Sequence, residues 1–262
     1  MCLVVSYYFN VKIIGGCLVT TKRLGIGFFE TSSLANHFWR NQLADLVKFE
    51  EQNEIALLHM DDGKANALSP AMSEAIDGAL DRAESAAKAI VLHGRPGVLC
   101  GGYDLRIIRG EDEAERDRMR RLGTDLMQRL YLFPKPIVWA CTGHAVAAGA
   151  ILLMTGDVRI GRRGGYKIGL NETAIGLPLP YVGLELARDR LNPAELQAAT
   201  VMAKLYDPDA AVKAGYLDEA TDNDVLDVAL ETAARLAFLD PHAFGETKIR
   251  LRQSTIDRIK GH

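Results

Sequence analysis

The sequence predicts an α/β protein in which short strands alternate with helical crossovers and then give way to a helical C-terminal region. Three observations predict it. Compact apolar runs at Ala89–Leu92 and Ile137–Trp139, and the stretch Val158-Arg159-Ile160, are each short enough for a strand. Apolar stripes at helical spacing lie between them, such as Met72, Ile76, Leu80 and Ala83. After Tyr181 the reading is helical almost throughout, with no sequence repeat and no low-complexity linker, so the strands and helices form two layers of one domain with a helical extension.

Taken in order, Val47–Glu50 and Ile55–Met60 read as a hairpin joined across Glu51–Glu54. A turn-rich connection, Asp61 to Leu68, leads to Ser69-Pro70, where a hydroxyl N-cap and a proline at the first helical position start a helix running to about Ala87. Ala89–Leu92 is a strand, Gly94–Gly97 turns out of it, and Gly101-Gly102 leads into a short helix capped by Asp104. Met119, Leu122, Leu126 and Leu130 mark a helix stopped by Pro134. The strand Ile137–Trp139 enters Thr142-Gly143, turns through small residues and opens a helix near Ala147 to Gly149. Val158–Ile160, the Gly164-Gly165 turn and Tyr166–Ile168 lead to Asn171-Glu172 and the loop Gly176–Pro180. Farther on, Asn192-Pro193 caps a helix, with Glu195 placed to bond back to the Asn192 amide. Gly215 closes another helix, Asp224–Leu239 forms a third, and the last runs from about Ala243 to Lys260.

Composition narrows the function classes. The 262 residues are 48% hydrophobic and 25% charged with a net charge of −3, ordinary for a globular protein and unsuited to nucleic acid as the main partner. The basic cluster Arg116–Arg121 alternates with Glu115 and Asp117 and reads as a solvated helix face. Four cysteines without paired spacing read as a reduced intracellular complement, and the six scattered histidines offer no metal-ligand spacing. Neither a cofactor nor a metal is expected. Residues 1–45 carry no domain-like pattern, no basic leader and no convincing membrane span. They are expected to be an appendage, translated from upstream of the natural start, and the protein is expected to be cytoplasmic.

Standard catalytic signatures are missing: there is no Gly-x-Ser-x-Gly elbow, no phosphate loop and no His-Glu-x-x-His. What remains is a pair of small-residue strand-to-helix turns, Gly101-Gly102-Tyr103 and Ala147-Ala148-Gly149, with Glu172 at a strand-to-loop edge. Small residues let another molecule approach the backbone, and a first helical turn leaves its N–H groups free for an oxygen that carries negative charge. Tight helix packing alone would also use Ala and Gly there.

Val91–Gly94 through Leu99–Leu105, Lys135–Gly149, and Gly169–Glu172 followed by Gly176–Pro178 together resemble the three signatures of the crotonase (enoyl-CoA hydratase/isomerase) family. The match runs from about Val47 to the C-terminus in the right order, with weaker support from Ala65–Ser69 and the Lys248 region. The resemblance implies a crotonase-like spiral of β-β-α units with a C-terminal helical oligomerisation region. Residues 46–190 would be the β/α core with the acyl-CoA site, and residues 191–262 the helical region that builds a homotrimer or hexamer. It further implies an acyl-CoA thioester substrate whose enolate oxygen is held by the amides of Tyr103 and Ala148. Gly102 and Gly149 give the bare approach this needs, Ala65, Ala67 and Leu68 lie near the adenine, and Asp104 and Ile151 line the site. Glu172 is the matching proton carrier, since an apolar pocket disfavours its ionised form.

One departure is informative. Family hydratases generally use two glutamates, and the position of the first is Ile151 here. Shifting a double bond needs only one group to take a proton and return it, so a single glutamate favours isomerisation over hydration. Glu111–Glu113 could supply a second carboxylate from a loop. A degenerate acyl-CoA-binding or interaction protein is the alternative of another class. Cys100 beside the first turn reads as a packing residue, and His144 in the second as one that packs or hydrogen-bonds within the turn.

Overall fold

The computed structural model describes residues 46–262, so the expectation placed on residues 1–45 lies outside the described residues. Strands β1 (Val47–Gln52) and β2 (Ile55–Met60) form the predicted antiparallel hairpin. Its loop is the two residues Asn53-Glu54, with φ of +51° and +63°, the left-handed pair that matches the twist of hairpin strands. Helix α1 (Pro70–Ala86) starts as its sequence requires, Ser69 Oγ accepting from the Met72 amide at 3.1 Å. Then follow β3 (Ala89–His93), β4 (Gly97–Cys100), α2 (Leu105–Arg109) and α3 (Glu113–Leu132). The middle of the chain gives β5 (Ile137–Cys141), β6 (Gly143–Val146), α4 (Ala148–Met154), β7 (Val158–Arg162), β8 (Ile168–Gly169) and a 3₁₀ turn at Thr173–Ile175. The last elements are α5 (Tyr181–Arg190), α6 (Leu196–Thr200), α7 (Pro208–Ala214), β9 (Glu219–Thr221), α8 (Val225–Leu236) and α9 (Pro241–Lys260).

The strands divide between two sheets in a regular way. The larger has the order β1-β2-β3-β5-β7-β9, parallel from β2 onward, and the smaller is the parallel β4-β6-β8. Each turn of the chain therefore gives one strand to the large sheet, the next to the small one, and then a helix. The first turn does the same with a single bridge, Leu68 to Tyr103, in place of a short strand. This is the β-β-α spiral that the sequence implied.

Burial explains the apolar runs. Strands β3 and β5 are covered on both faces, so Ile90, Val91 and Leu92, and Ile137 through Ala140, are all fully buried. One face meets α1, α3 and α4 in a core centred on Trp139, Tyr131 and Phe133. The other meets α8 through Ala229 and Ala233.

The structure departs from the sequence reading at three places. Gly143–Val146 is a strand rather than a bare turn, because its backbone pairs with Gly97–Cys100 and with Ile168-Gly169. Strand β9 interrupts the region read as helical and completes the edge of the large sheet against Ile160–Arg162. The capping box at Asn192 is not formed. The Asn192 amide donates to Ala214 O at 2.9 Å, while Glu195 is drawn to Lys204 Nζ at 2.9 Å and Tyr206 Oη at 2.8 Å. These two donors outcompete a single backbone amide, and the helix begins later, at Leu196.

The C-terminal helix is fastened to the spiral by a buried charge cluster. Asp157, just before β7, accepts from the Ile137 amide at 2.8 Å and pairs with Lys248 at 2.7 Å and Arg252 at 2.9 Å. Both cations are about 95% buried, at 5% and 4% exposed. Asp157→Ala strands both, and is expected to cost about 3–5 kcal/mol of unfolding free energy, read from denaturant midpoints against the wild type.

Candidate active site

The three strands of the small sheet are parallel, so their C-terminal ends lie along one edge, and each end carries one of the sequence motifs. Beyond β4 stand Gly101-Gly102-Tyr103, beyond β6 Ala147-Ala148, and beyond β8 Leu170-Asn171-Glu172. Short contacts tie these ends together. The Gly101 amide donates to Ala65 O at 2.8 Å, and the Leu68 amide to Gly102 O at 2.8 Å. A Cβ on Gly102 would stand 3.0 Å from Ala147 Cβ and 3.6 Å from the Ala148 nitrogen. The Ala147 amide in turn donates to Gly169 O at 3.0 Å. Ala65, Leu68, Gly102, Tyr103, Ala148 and Glu172, far apart in the chain, thus share one edge.

Backbone conformation exposes the amides. Gly102 has φ +100° and Ala147 has φ +50° with ψ −126°; the second is costly for a residue with a Cβ. The chain thereby turns from β6 into α4 within one residue, and no side chain caps the helix. Neither the Tyr103 nor the Ala148 amide donates a backbone hydrogen bond among the described residues. Two free N–H groups across the Gly102–Ala147 contact can receive one oxygen on which charge develops. Gly149 has a separate function: a Cβ there would meet Cys100 Cβ at 2.9 Å and its carbonyl carbon at 2.8 Å, so only glycine lets α4 sit on β4.

Glu172 heads the 3₁₀ turn but does not cap it with its side chain. Its carbonyl accepts from Ile175 at 3.0 Å and Leu177 at 2.9 Å, and Thr173 Oγ1 donates to Val201 O at 3.2 Å, so the turn is held by groups other than the carboxyl. The side chain is 7% exposed, and its Oε2 is buried with no partner among the described residues. Burial pushes its pKa up, opposed by the amides of Glu172 and Asn171, and no second carboxylate contributes. Glu111 lies instead beside Asp104, Arg106 and Glu115, lining a surface cleft of about 460 Å³.

The remaining predicted residues fall into place around this edge. Ala67 sits in a loop clasped by Asp62, whose carboxylate accepts from Lys64, Asn66 and Ala67 amides at 2.7, 2.8 and 3.1 Å. Asn66 lies in the same loop. Its φ is +50°, and its Nδ2 donates to Met60 O and Leu99 O at 2.9 and 3.2 Å, pinning the loop to β4. Asp104 caps α2 through the Arg106 amide at 2.9 Å and pairs with that guanidinium at 2.7 Å, which spends its carboxylate on the fold. Ile151 is fully buried; a Cβ on Gly183 would come within 2.7 Å of its Cδ1 and 3.1 Å of Leu179 Cδ1. Cys100 is packed as expected, its thiol pushed up to about 12 by burial, and His144 Nδ1 accepts from the Lys167 amide at 3.0 Å.

Sequence reasoning did not find Gly123, Asn171 and Tyr216. Gly123 of α3 receives the Tyr103 ring, where a Cβ would lie 2.7 Å from Cε1; a glycine inside a helical stripe was the available signal. Asn171 Oδ1 is a second buried atom without a partner, and Tyr216 Oη accepts from the Leu170 amide at 3.4 Å.

Two consequences are measurable. Gly102→Ala adds strain at φ +100° and presses on Ala147, so it is expected to cost about 1–3 kcal/mol of stability and to spread the two amides, seen as a loss of kcat/KM. The Cys100 and Cys141 thiols, both near 12, are expected to stay unmodified by iodoacetamide at pH 8 in the folded protein and to react fully in urea, checked by peptide mass mapping.

Comparison with known proteins agrees with this geometry. The family model for enoyl-CoA hydratase/isomerase matches residues 50–258. Mitochondrial enoyl-CoA delta isomerase 1 of rat is 27% identical over 219 residues, covering 82% of this chain and 76% of that protein. A crystal structure of a probable enoyl-CoA hydratase, EchA3, from Mycobacterium tuberculosis superposes with a TM-score of 0.80 at 40% identity, covering 83% of this chain and 92% of that one. An enoyl-CoA hydratase/isomerase family protein from Pseudomonas syringae gives 0.81 at 37% identity, covering 84% and 95%. The chain belongs to the enoyl-CoA hydratase/isomerase, or crotonase, family and is an enzyme of acyl-CoA thioester chemistry.

Proposed function

We propose that this enzyme shifts the double bond of an enoyl-CoA thioester by carrying one proton between carbons on Glu172. The observation that carries the reading is the solitary buried carboxylate: Glu172 faces no second acid, and Ile151 stands where a hydratase needs one. In this mechanism the thioester oxygen rests between the Tyr103 and Ala148 amides. Glu172, as the anion, takes the proton beside the carbonyl, and the electron pair moves into the conjugated enolate. The two amides stabilise the charge on oxygen; loss of one such donor typically costs about 3–4 kcal/mol. The protonated Glu172 then returns its proton two carbons farther along, and the double bond ends beside the carbonyl.

Ala65, Ala67 and Leu68 hold the adenine side of the coenzyme A moiety, supported by the rigid Asp62–Asn66 clasp beneath them. Gly102 keeps the approach bare, Gly149 instead seats α4 on β4, Ile151 gives an apolar wall and Asp104 fixes the neighbouring helix. Hydration is the second reading, favoured by the name of a Bacillus subtilis relative, a probable enoyl-CoA hydratase. Cytoplasmic residence and assembly into a trimer or hexamer belong to the same proposal. The free buried thiols of Cys100 and Cys141 support the first, and the exposed Phe238, Leu239 and Leu251 near and on α9 support the second.

Purified enzyme offered 3-enoyl-CoA and 2-enoyl-CoA separately is expected to isomerise the first and to leave the second largely unhydrated. Rapid hydration without isomerisation overturns the reading. Glu172→Gln is expected to lower kcat by about 10²–10⁴-fold while still binding an acyl-CoA ester by calorimetry; binding with no activity even in the wild type marks a non-catalytic acyl-CoA protein. Because the working form is the anion and burial raises its pKa, kcat/KM is expected to fall with decreasing pH at a midpoint above the usual value for glutamate, 4.5.

A further inference from the structure

The loop from Asp61 to Leu68 is pinned mostly by its own residues and by the strand ends beside it. Asp61 Oδ1 accepts from the Gly63 amide at 2.8 Å, and Asp62 clasps the amides that follow. Asn66 bonds back to Met60 O and Leu99 O, and Ala65 O accepts from the Gly101 amide at 2.8 Å. The Lys64 carbonyl is different, because a side chain from another turn of the chain holds it. Arg95 Nη1 donates to Lys64 O at 2.8 Å, across 31 positions of sequence.

Arg95 is itself firmly mounted. It stands in the turn between β3 and β4, where its carbonyl accepts from the Val98 amide at 3.1 Å and from Thr142 Oγ1 at 2.9 Å. Thr142 lies between β5 and β6, and its own carbonyl accepts from the Gly97 amide at 3.1 Å. The base of Arg95 is thus fixed to the framework that carries the Ala147-Ala148 turn. Its ion pair with Asp61 stretches to 4.0 Å between side chains that are 33% and 38% exposed, and such a pair contributes little. The short charge-assisted bond to a carbonyl is the directional contact.

The consequence falls on the next residue. In a trans peptide the N–H points opposite to the C=O, so fixing Lys64 O aims the Ala65 N–H to the side away from Arg95. That amide donates no backbone hydrogen bond among the described residues, and Ala65 is exposed. With Arg95 on the Lys64 carbonyl and Gly101 on the Ala65 carbonyl, both peptide planes flanking Ala65 are set. We propose that Arg95 is a positioning residue for the coenzyme: its guanidinium holds the Lys64–Ala65 peptide in the one orientation that presents Ala65 to the adenine nucleotide of the thioester. The inference rests on the reading that Ala65, Ala67 and Leu68 meet the adenine side of the substrate.

The test compares two substrates with the same acyl group: the 3-enoyl-CoA thioester and the matching 3-enoyl-pantetheine thioester, which lacks the adenine nucleotide. Arg95→Met keeps an aliphatic stem and removes the donor. A loop that holds the competent orientation about a tenth of the time binds about tenfold more weakly. KM for the CoA ester is therefore expected to rise about tenfold, with kcat changed less than about twofold. For the pantetheine ester, kcat/KM is expected to stay within about twofold of wild type, which also shows that the variant is folded. The same rise in KM is expected at about 0.5 M sodium chloride, since a partly buried bond is screened little. Equal losses with both esters mark a merely structural role and overturn the proposal, as does an unchanged KM for the CoA ester. A rise that disappears at high salt marks direct ionic contact with the coenzyme phosphates and overturns it too. If the wild type itself turns over both esters with equal kcat/KM, the adenine reading falls and the role of Arg95 falls with it. If the wild type hydrates 2-enoyl-CoA rather than isomerising, the isomerase reading falls, and the same comparison made on hydration decides the role of Arg95.

Discussion

The site depends on one strained residue, Ala147. Its φ of +50° with ψ −126° lets a strand become a helix without an intervening loop, and the Ala148 amide that follows donates no backbone hydrogen bond among the described residues. A residue with a Cβ reaches this conformation only if its surroundings hold it there. They do so on three sides: the amide is bonded to Gly169, the carbonyl accepts from Ala150 and Ile151 at 2.9 and 3.1 Å, and the Cβ closes against Gly102. Each of these contacts comes from a different turn of the spiral or from the helix itself. The strain and the alignment of the three motif-bearing strand ends are therefore one constraint.

This constraint explains why the site was readable where it was. Two backbones can approach as closely as those at Gly102 and Ala147 only if the residues are small, so the requirement is written as local composition. Glu172 was legible for a related reason: a carboxylate among Ile168, Gly169, Leu170 and Leu177 has no apolar purpose. The Ser69, Asp104 and Gly215 caps were legible because a cap is made within three residues of the helix it ends.

What stayed hidden is long-range. Strands of two to four residues, such as β8 and β9, are too short to show a period, and their existence depends on a neighbour already in place. Glu195 illustrates the competition: the local capping rule was sound, but Lys204 and Tyr206 offered two charge-assisted or hydroxyl donors where the rule offered one amide. The reason for Gly123 inside helix α3 is the ring of Tyr103, which lies twenty positions earlier in the chain and meets it only in the fold. Asn171 stands next to Glu172 in the chain but its unpartnered Oδ1 shows only in the fold, and Tyr216 carries no pattern at all.

The same logic bears on the kind of chemistry the pocket favours. A water held for addition needs acceptors on two sides, whereas proton relocation needs one base with access to two carbons. Ile151, fully buried with its Cδ1 beside Gly183, offers no acceptor at its position. Burial raises the pKa of Glu172, which suits the proton-carrying role proposed for it. Such a group works only if it does not swing away, and a glutamate with three rotatable bonds has freedom to do so. Here the backbone of Glu172 is fixed by the hydrogen bonds its carbonyl accepts from Ile175 and Leu177, and its burial limits how far the side chain can turn.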